Sequence, residues 1–117
     1  TDLNPYAEAV SLFGYDSFLL GETVLAMHGL ALVNPRKFSI GTPKRIRKIL
    51  PPWVEAVTVS NKDTTHYEGI PSQTVTEAIL DCRGRVMAER LRNAADAARQ
   101  SGLITKSEHQ RLKEELS

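Results

Sequence analysis

Six basic residues form the densest chemical feature of the chain. Arg36, Lys37, Lys44, Arg45, Arg47 and Lys48 fall in a stretch that holds no acid between Glu22 and Glu55. Residues 1–54 carry six basic and four acidic side chains, a balance of +2, whereas residues 55–117 carry nine and ten, a balance of −1. In a chain of net charge only +1, this local excess says more about a partner than the total does. Lys44-Arg45-x-Arg47-Lys48 follows Pro43 and reads as an exposed turn. Cations so placed can neutralise nucleic-acid phosphates, with an affinity that falls as salt rises. They can equally meet an acidic face of a protein. An ordinary solvated loop has the same composition, and no aromatic side chains are interleaved here for base stacking.

Other residue types suited to chemistry are scattered. His28, His66 and His109 form no H-x-H, H-x-x-x-H or C-x-x-C pairing, and a metal site needs clustered ligands. None of the three is expected to bind metal or act as a base. His28 is expected at a helix C-terminus, where a positive imidazole suits the dipole. Glu77 and Asp81 lie four apart and could share a metal, with Glu89 as a further carboxylate. Any solvated helix face offers the same spacing, and the Glu-x-Lys of a metal-dependent nuclease is absent. The sequence also lacks G-x-S-x-G and S-x-x-K nucleophile motifs and any phosphate-cradling glycine motif. Cys82 falls on the apolar face of a helix and reads as a buried thiol. The expectation is a binding protein, not an enzyme, with no cofactor and no metal.

The elements that must position the basic block come from periodicity and caps. Asn4 can cap a first helix with Pro5 at its first position, and Gly14 stops it. Phe18 to Leu20 forms a short extended piece. Glu22 to His28 reads as a buried helix with Gly29 just past its end. Lys37 to Thr42 and Val54 to Val59 alternate as strands, separated by Pro43, the basic turn and Pro51-Pro52. Asn61-Lys62-Asp63 reads as a turn and Thr65 to Ile70 as a third strand. Thr74 or Ser72 caps a helix carrying Val75, Ala78, Ile79 and Cys82, which Arg83-Gly84 closes. A longer helix from about Arg85 to Ser101 places Met87, Leu91, Ala94 and Ala98 on one face. Arg92, Asp96 and Arg99 run along its outer side. Thr105-Lys106-Ser107-Glu108 is a capping box for a last helix to about Leu116. The fold class is therefore α+β: a small sheet of about three short strands, N-terminal helices and a C-terminal group of three helices. Pairing order is not legible.

Composition fits one domain over residues 1–117, with 41% apolar and 25% charged residues. With one Trp, three Tyr and three Phe, the core must rest on aliphatic side chains. A lone cysteine cannot staple the fold, which points to a reducing, cytoplasmic setting. The longest apolar run, Val24 to Val33, contains His28 and Gly29 and falls short of the roughly 20 residues of a membrane span, so no membrane partner is expected. The start at Thr1, with no initiator Met, suits an excised or processed chain.

Several phrases together resemble the AbiEi family of type IV antitoxins. Leu20-Gly21-Glu22-Thr23-Val24-Leu25-Ala26-Met27-His28-Gly29-Leu30 resembles that family's S-x-E-S/T-A-L-x-L-H-G-L helix. Phe38-Ser39-Ile40-Gly41-Thr42-Pro43-Lys44-Arg45 resembles its following strand, which ends in Thr/Val-Pro and basic residues. Glu68-Gly69-Ile70-Pro71-Ser72-Gln73-Thr74 is similar to its x-G-I/V-P-V-T-T segment, and Gly102-Leu103-Ile104-Thr105 to its G-L-L/I-T junction. The likeness runs in order over roughly residues 15 to 116, with departures at Gly21 and at Ser72-Gln73. It implies the C-terminal antitoxin domain of a bacterial transcriptional regulator. Such a domain takes part in neutralising a cognate nucleotidyltransferase-like toxin and assists promoter autoregulation. The family's N-terminal winged helix-turn-helix, which binds operator DNA, is expected to be absent from this chain, since no helix-turn-helix reads ahead of residue 15. Two alternatives stand beside it. One is a stand-alone nucleic-acid-binding module using the 36–48 block. The other is a metal-dependent nuclease-like enzyme using Glu77, Asp81 or Glu89.

Overall fold

A computed structural model describes residues 2–14, 16–59 and 63–117. The chain runs α1 (Asn4–Ser11), β1 (Phe18–Leu19), α2 (Glu22–Met27), β2 (Phe38–Thr42) and β3 (Val54–Thr58). It continues with β4 (Thr64–Tyr67), β5 (Ile70–Gln73), α3 (Val75–Asp81), α4 (Ala88–Gln100) and α5 (Lys106–Glu115). The α+β class holds, but the sheet has five strands, in the order β3-β2-β1-β5-β4, not about three. Two physical reasons account for the difference. Thr65 to Ile70 does not continue as one strand, because Glu68 (φ 51°) and Gly69 (φ 81°) both take left-handed backbone. That pair makes a two-residue hairpin turn and folds the segment into β4 and β5. The second reason is β1, which falls in the expected extended piece Phe18 to Leu20 but is too short to count as a strand by periodicity. Both of its residues are buried, with Leu19 opposite Ile40 on one side and Ser72 on the other. Of the expected turn at 61–63, Asn61 and Lys62 lie outside the described residues.

Helix ends follow local chemistry, with some shifts. Asn4 is not the cap of α1 but its first residue: Leu3 is the N-cap and the Asn4 N–H donates to Asp2 Oδ1 at 3.0 Å. α2 ends as expected at Gly29, with the Leu30 N–H reaching the Leu25 carbonyl at 2.8 Å. Of the two caps considered for α3, Thr74 takes the role, accepting the Glu77 N–H at 3.3 Å. α4 starts at Ala88 and not near Arg85, because Gly84 (φ 85°) turns the chain and Arg83 bridges to Val86. Met87 is thereby left as the N-cap, 65% exposed and off the core face. Leu91, Ala94 and Ala98 do form that face. The capping box of α5 is present in both directions.

The core joins sheet to helices through aliphatic side chains, among them Leu19, Val24, Leu25, Ile40, Ile79, Leu91 and Leu112. Phe38 anchors the other side, stacked on Tyr6 of α1 at 4.7 Å and edge-on to Trp53 at 5.8 Å. His28 does close α2, but its ring lies against Tyr67 at 4.4 Å, and burial holds its pKa below the ordinary histidine value. The neutral imidazole is favoured there, not the charged one that the helix dipole alone would select. Among the described residues no helix is long and apolar enough to cross a membrane.

Candidate functional site

Parallel strands cannot be joined by a tight turn, so the pairing of β2 with β3 requires a crossover, here residues 43–53. Pro43 ends β2, and the Thr42 hydroxyl donates to the Lys44 carbonyl and fixes the way out. At the far end Pro51-Pro52 stiffens the return, and the Val54 N–H closes on the Pro51 carbonyl at 3.2 Å. Ile46 is half-buried, and Leu50 and Trp53 pack against the core. The intervening side chains must then face water.

The six basic residues separate into three groups. Lys44, Arg45 and Arg47 are exposed on the crossover, and among the described residues no ion pair holds them. Lys48 is tied down: its Nζ donates to the Leu12 carbonyl at the end of α1 and stands 5.9 Å from the centroid of the Phe13 ring. A cation fits the negative end of a helix and an aromatic face. Arg36 and Lys37 lie apart from the crossover, on the wall of a cleft of about 840 Å³. Arg85 stands in the same cleft with the carboxylates Glu22, Glu55 and Asp81. Sequence reading missed Arg85, which follows a helix end and carries no periodic signal. It also missed Ile49, which is 97% exposed beside the crossover cations. The crossover turns this isoleucine outward between Lys48 and Leu50, which no local pattern signals.

The residues weighed for other chemistry are not brought together. His28 closes α2, His66 is exposed on β4, and His109 on α5 meets Asp96 at 2.7 Å. Glu77 pairs with Arg111 at 3.4 Å, Asp81 accepts from Gln73 Nε2 at 2.6 Å, and Glu89 opens α4. No group of three or more His, Cys, Asp or Glu side chains among the described residues could hold a metal. Cys82 is buried, and its thiol is pushed up to about 12, first by burial and then by the neighbouring Glu22 charge. It stays protonated at neutral pH and is a poor nucleophile.

Set against family models, curated proteins and solved structures, the chain matches none of them.

Proposed function

We propose that this chain is a non-catalytic binding domain, and that the crossover between β2 and β3 is its contact for the phosphates of duplex DNA. The observation that carries this reading is the exposure of Lys44, Arg45 and Arg47 on a segment that contains no acid to neutralise them. Phosphate contact of this type fixes position without reading sequence. It therefore suits a domain that assists an operator-binding partner more than one that selects the operator itself. That role agrees with the AbiEi-like antitoxin and regulator which the sequence resembles, and in that setting the protein partner is a nucleotidyltransferase-like toxin.

A salt titration tests the DNA contact. Binding to a duplex should weaken steeply with salt. The triple substitution Lys44→Ala, Arg45→Ala, Arg47→Ala should flatten the log–log slope by roughly 0.9 for each phosphate that is no longer neutralised. An unchanged slope would remove the crossover from DNA binding. Coexpression of the chain with the product of the neighbouring gene tests the antitoxin role. Absence of both a complex and growth rescue would sink it.

A further inference from the structure

The two rims of the sheet are built differently. β4, at one rim, is four residues of largely exposed polar chain. β3, at the other, is five residues in unbroken parallel register with β2, reading Val-Glu-Ala-Val-Thr. Sheet edges are ordinarily blunted by lysine, proline, a bulge or a covering element, because open N–H and C=O groups recruit further strands. β3 carries no lysine, proline or bulge, and its single charge, Glu55, is engaged by the Ser39 hydroxyl at 2.8 Å.

The phase of the ladder shows which backbone groups are open. The Phe38 N–H donates to the Trp53 carbonyl at 2.9 Å, and the Val59 N–H to the Thr42 carbonyl at 2.8 Å. With Phe38 opposite Val54 and Thr42 opposite Thr58, the backbone groups of Glu55 and Val57 point to β2. Those of Ala56 and Thr58 point away from the sheet. The Val54 N–H is closed by Pro51, so among the described residues the open rim consists of Ala56, Thr58 and the Val54 carbonyl.

Charge selects what such a rim would take. Trp53 and Tyr6 both pack on Phe38, and Lys48 holds the end of α1, so crossover and α1 share the Phe38 and Ile40 side of the sheet. Ala56 and Thr58 are in register with Ile40 and Thr42 and project their small side chains to that basic side. On the opposite side Val57, 36% exposed, and Val59 stand at the cleft, where the cations Arg36, Lys37 and Arg85 are matched in number by Glu22, Glu55 and Asp81. A second copy docked on this rim would bring its own acid-free crossover against the first, like charge on like charge. We propose that β3 accepts, by strand addition, an extended segment of a partner protein in which acidic and aliphatic residues alternate. The acids face Lys44, Arg45 and Arg47, and the aliphatic side chains lie beside Val57. Main-chain hydrogen bonds supply affinity in this mode and the alternating side chains supply specificity.

This inference goes beyond the DNA contact and draws on the same cations, but the two can fail separately. Ala56→Pro leaves every cation in place, and the crossover triple substitution leaves the rim intact. The probe is a fluorescein-labelled synthetic peptide of about eight residues, alternating Glu with Val or Ile, matched by a version with Lys for Glu. Fluorescence anisotropy should show salt-sensitive binding of the acidic peptide only. Ala56→Pro should weaken it at least tenfold while DNA affinity is kept, because proline is tolerated where an edge N–H faces outward. Amide exchange followed by NMR should show Ala56 and Thr58 unprotected in the free chain and protected with peptide. Thr58→Pro replaces Ala56→Pro if that variant does not fold, and the exchange measurement needs no variant. No binding of the acidic peptide, binding indifferent to proline, or protection absent at Ala56 and Thr58 would each overturn the proposal. A dimer whose Ala56 and Thr58 amides are already protected would give the rim to a second copy and overturn it as well.

Discussion

The C-terminal helices and the β2–β3 crossover both carry many charges, and they use them in opposite ways. Along the helices, charged groups close on one another across elements. Glu77 of α3 meets Arg111 of α5 at 3.4 Å, and Asp96 of α4 meets His109 and Lys113 of α5 at 2.7 and 3.6 Å. The Thr76 hydroxyl reaches Glu108 at 3.0 Å, and Arg83 just beyond α3 reaches Glu115 at 3.1 Å. On the crossover, Lys44, Arg45 and Arg47 have no acid nearby in the sequence and no ion pair among the described residues. Exposed ion pairs are each worth at most about 1 kcal/mol, so the helical charges mainly set register between helices already held by apolar burial. Charge that the fold leaves unpaired is free to act outside it. The helical layer is therefore expected to govern stability, and the crossover to govern binding.

The strongest blow to the helical side is Leu112→Ala. Leu112 is fully buried and is the buried residue within α5, so its truncation leaves a cavity where that helix meets its neighbours. A cost of about 3 kcal/mol is expected from urea unfolding, as for other buried leucines. DNA binding should persist at temperatures where the variant is folded. A cost below about 1 kcal/mol would mean that α5 is not part of the cooperative core.

How much of this contrast was legible in the sequence depends on the range of the forces involved. The capping box at Thr105, the end of α2 at Gly29 and the periodic face of Leu91, Ala94 and Ala98 are local, and reading residues three or four apart recovers them. The alternation of β2 and β3 was readable in the same way, but the pairing of the strands was not. β1 is two residues long, and its pairing joins Leu19 to Ser72 across most of the chain. The arrangement of charge failed in the same manner. Arg92, Asp96 and Arg99 run along one side of α4, yet Asp96 turns to α5 and Arg92 donates to the Leu116 carbonyl at 3.1 Å. The basic block was visible as composition, but its division was not. Lys48 is withdrawn by its hydrogen bond to Leu12, and Arg36 and Lys37 are carried to the cleft by the strand that follows them.

A smaller effect concerns the start of α5. Thr105 accepts the Glu108 N–H at 3.1 Å, and Glu108 accepts the Thr105 N–H at 2.8 Å. Thr105→Ala should cost about 1 kcal/mol. The Thr105 backbone bond is the first cause that holds the Glu108 carboxyl below its ordinary value of 4.5. A carboxylate depressed in the folded state adds stability that is fully present above the unfolded value and disappears as pH falls through the folded one. Asp96 is shifted in the same direction, first by its hydrogen bond with His109. Stability should therefore decline with acid below about pH 4.5, and Glu108→Gln should make that decline shallower. A decline equally steep in the Gln variant would move the acid sensitivity elsewhere.

The least effect on folding is expected where the effect on binding is greatest. Lys44, Arg45 and Arg47 are exposed and unpaired among the described residues, so replacing all three by alanine removes no packing and leaves no partner orphaned. Surface changes of this type shift stability by no more than about 0.5 kcal/mol each. The sign carries information as well. Three like charges on one short segment repel, so relieving them should leave the unfolding midpoint unchanged or slightly raised, more so at low salt. Lys48→Ala is the internal contrast, since it breaks the hydrogen bond to the end of α1 and should lower the midpoint. If the triple variant instead proved clearly less stable than Lys48→Ala, the crossover cations would be part of the fold. The division between charges that hold the helices and charges turned toward a partner would then collapse.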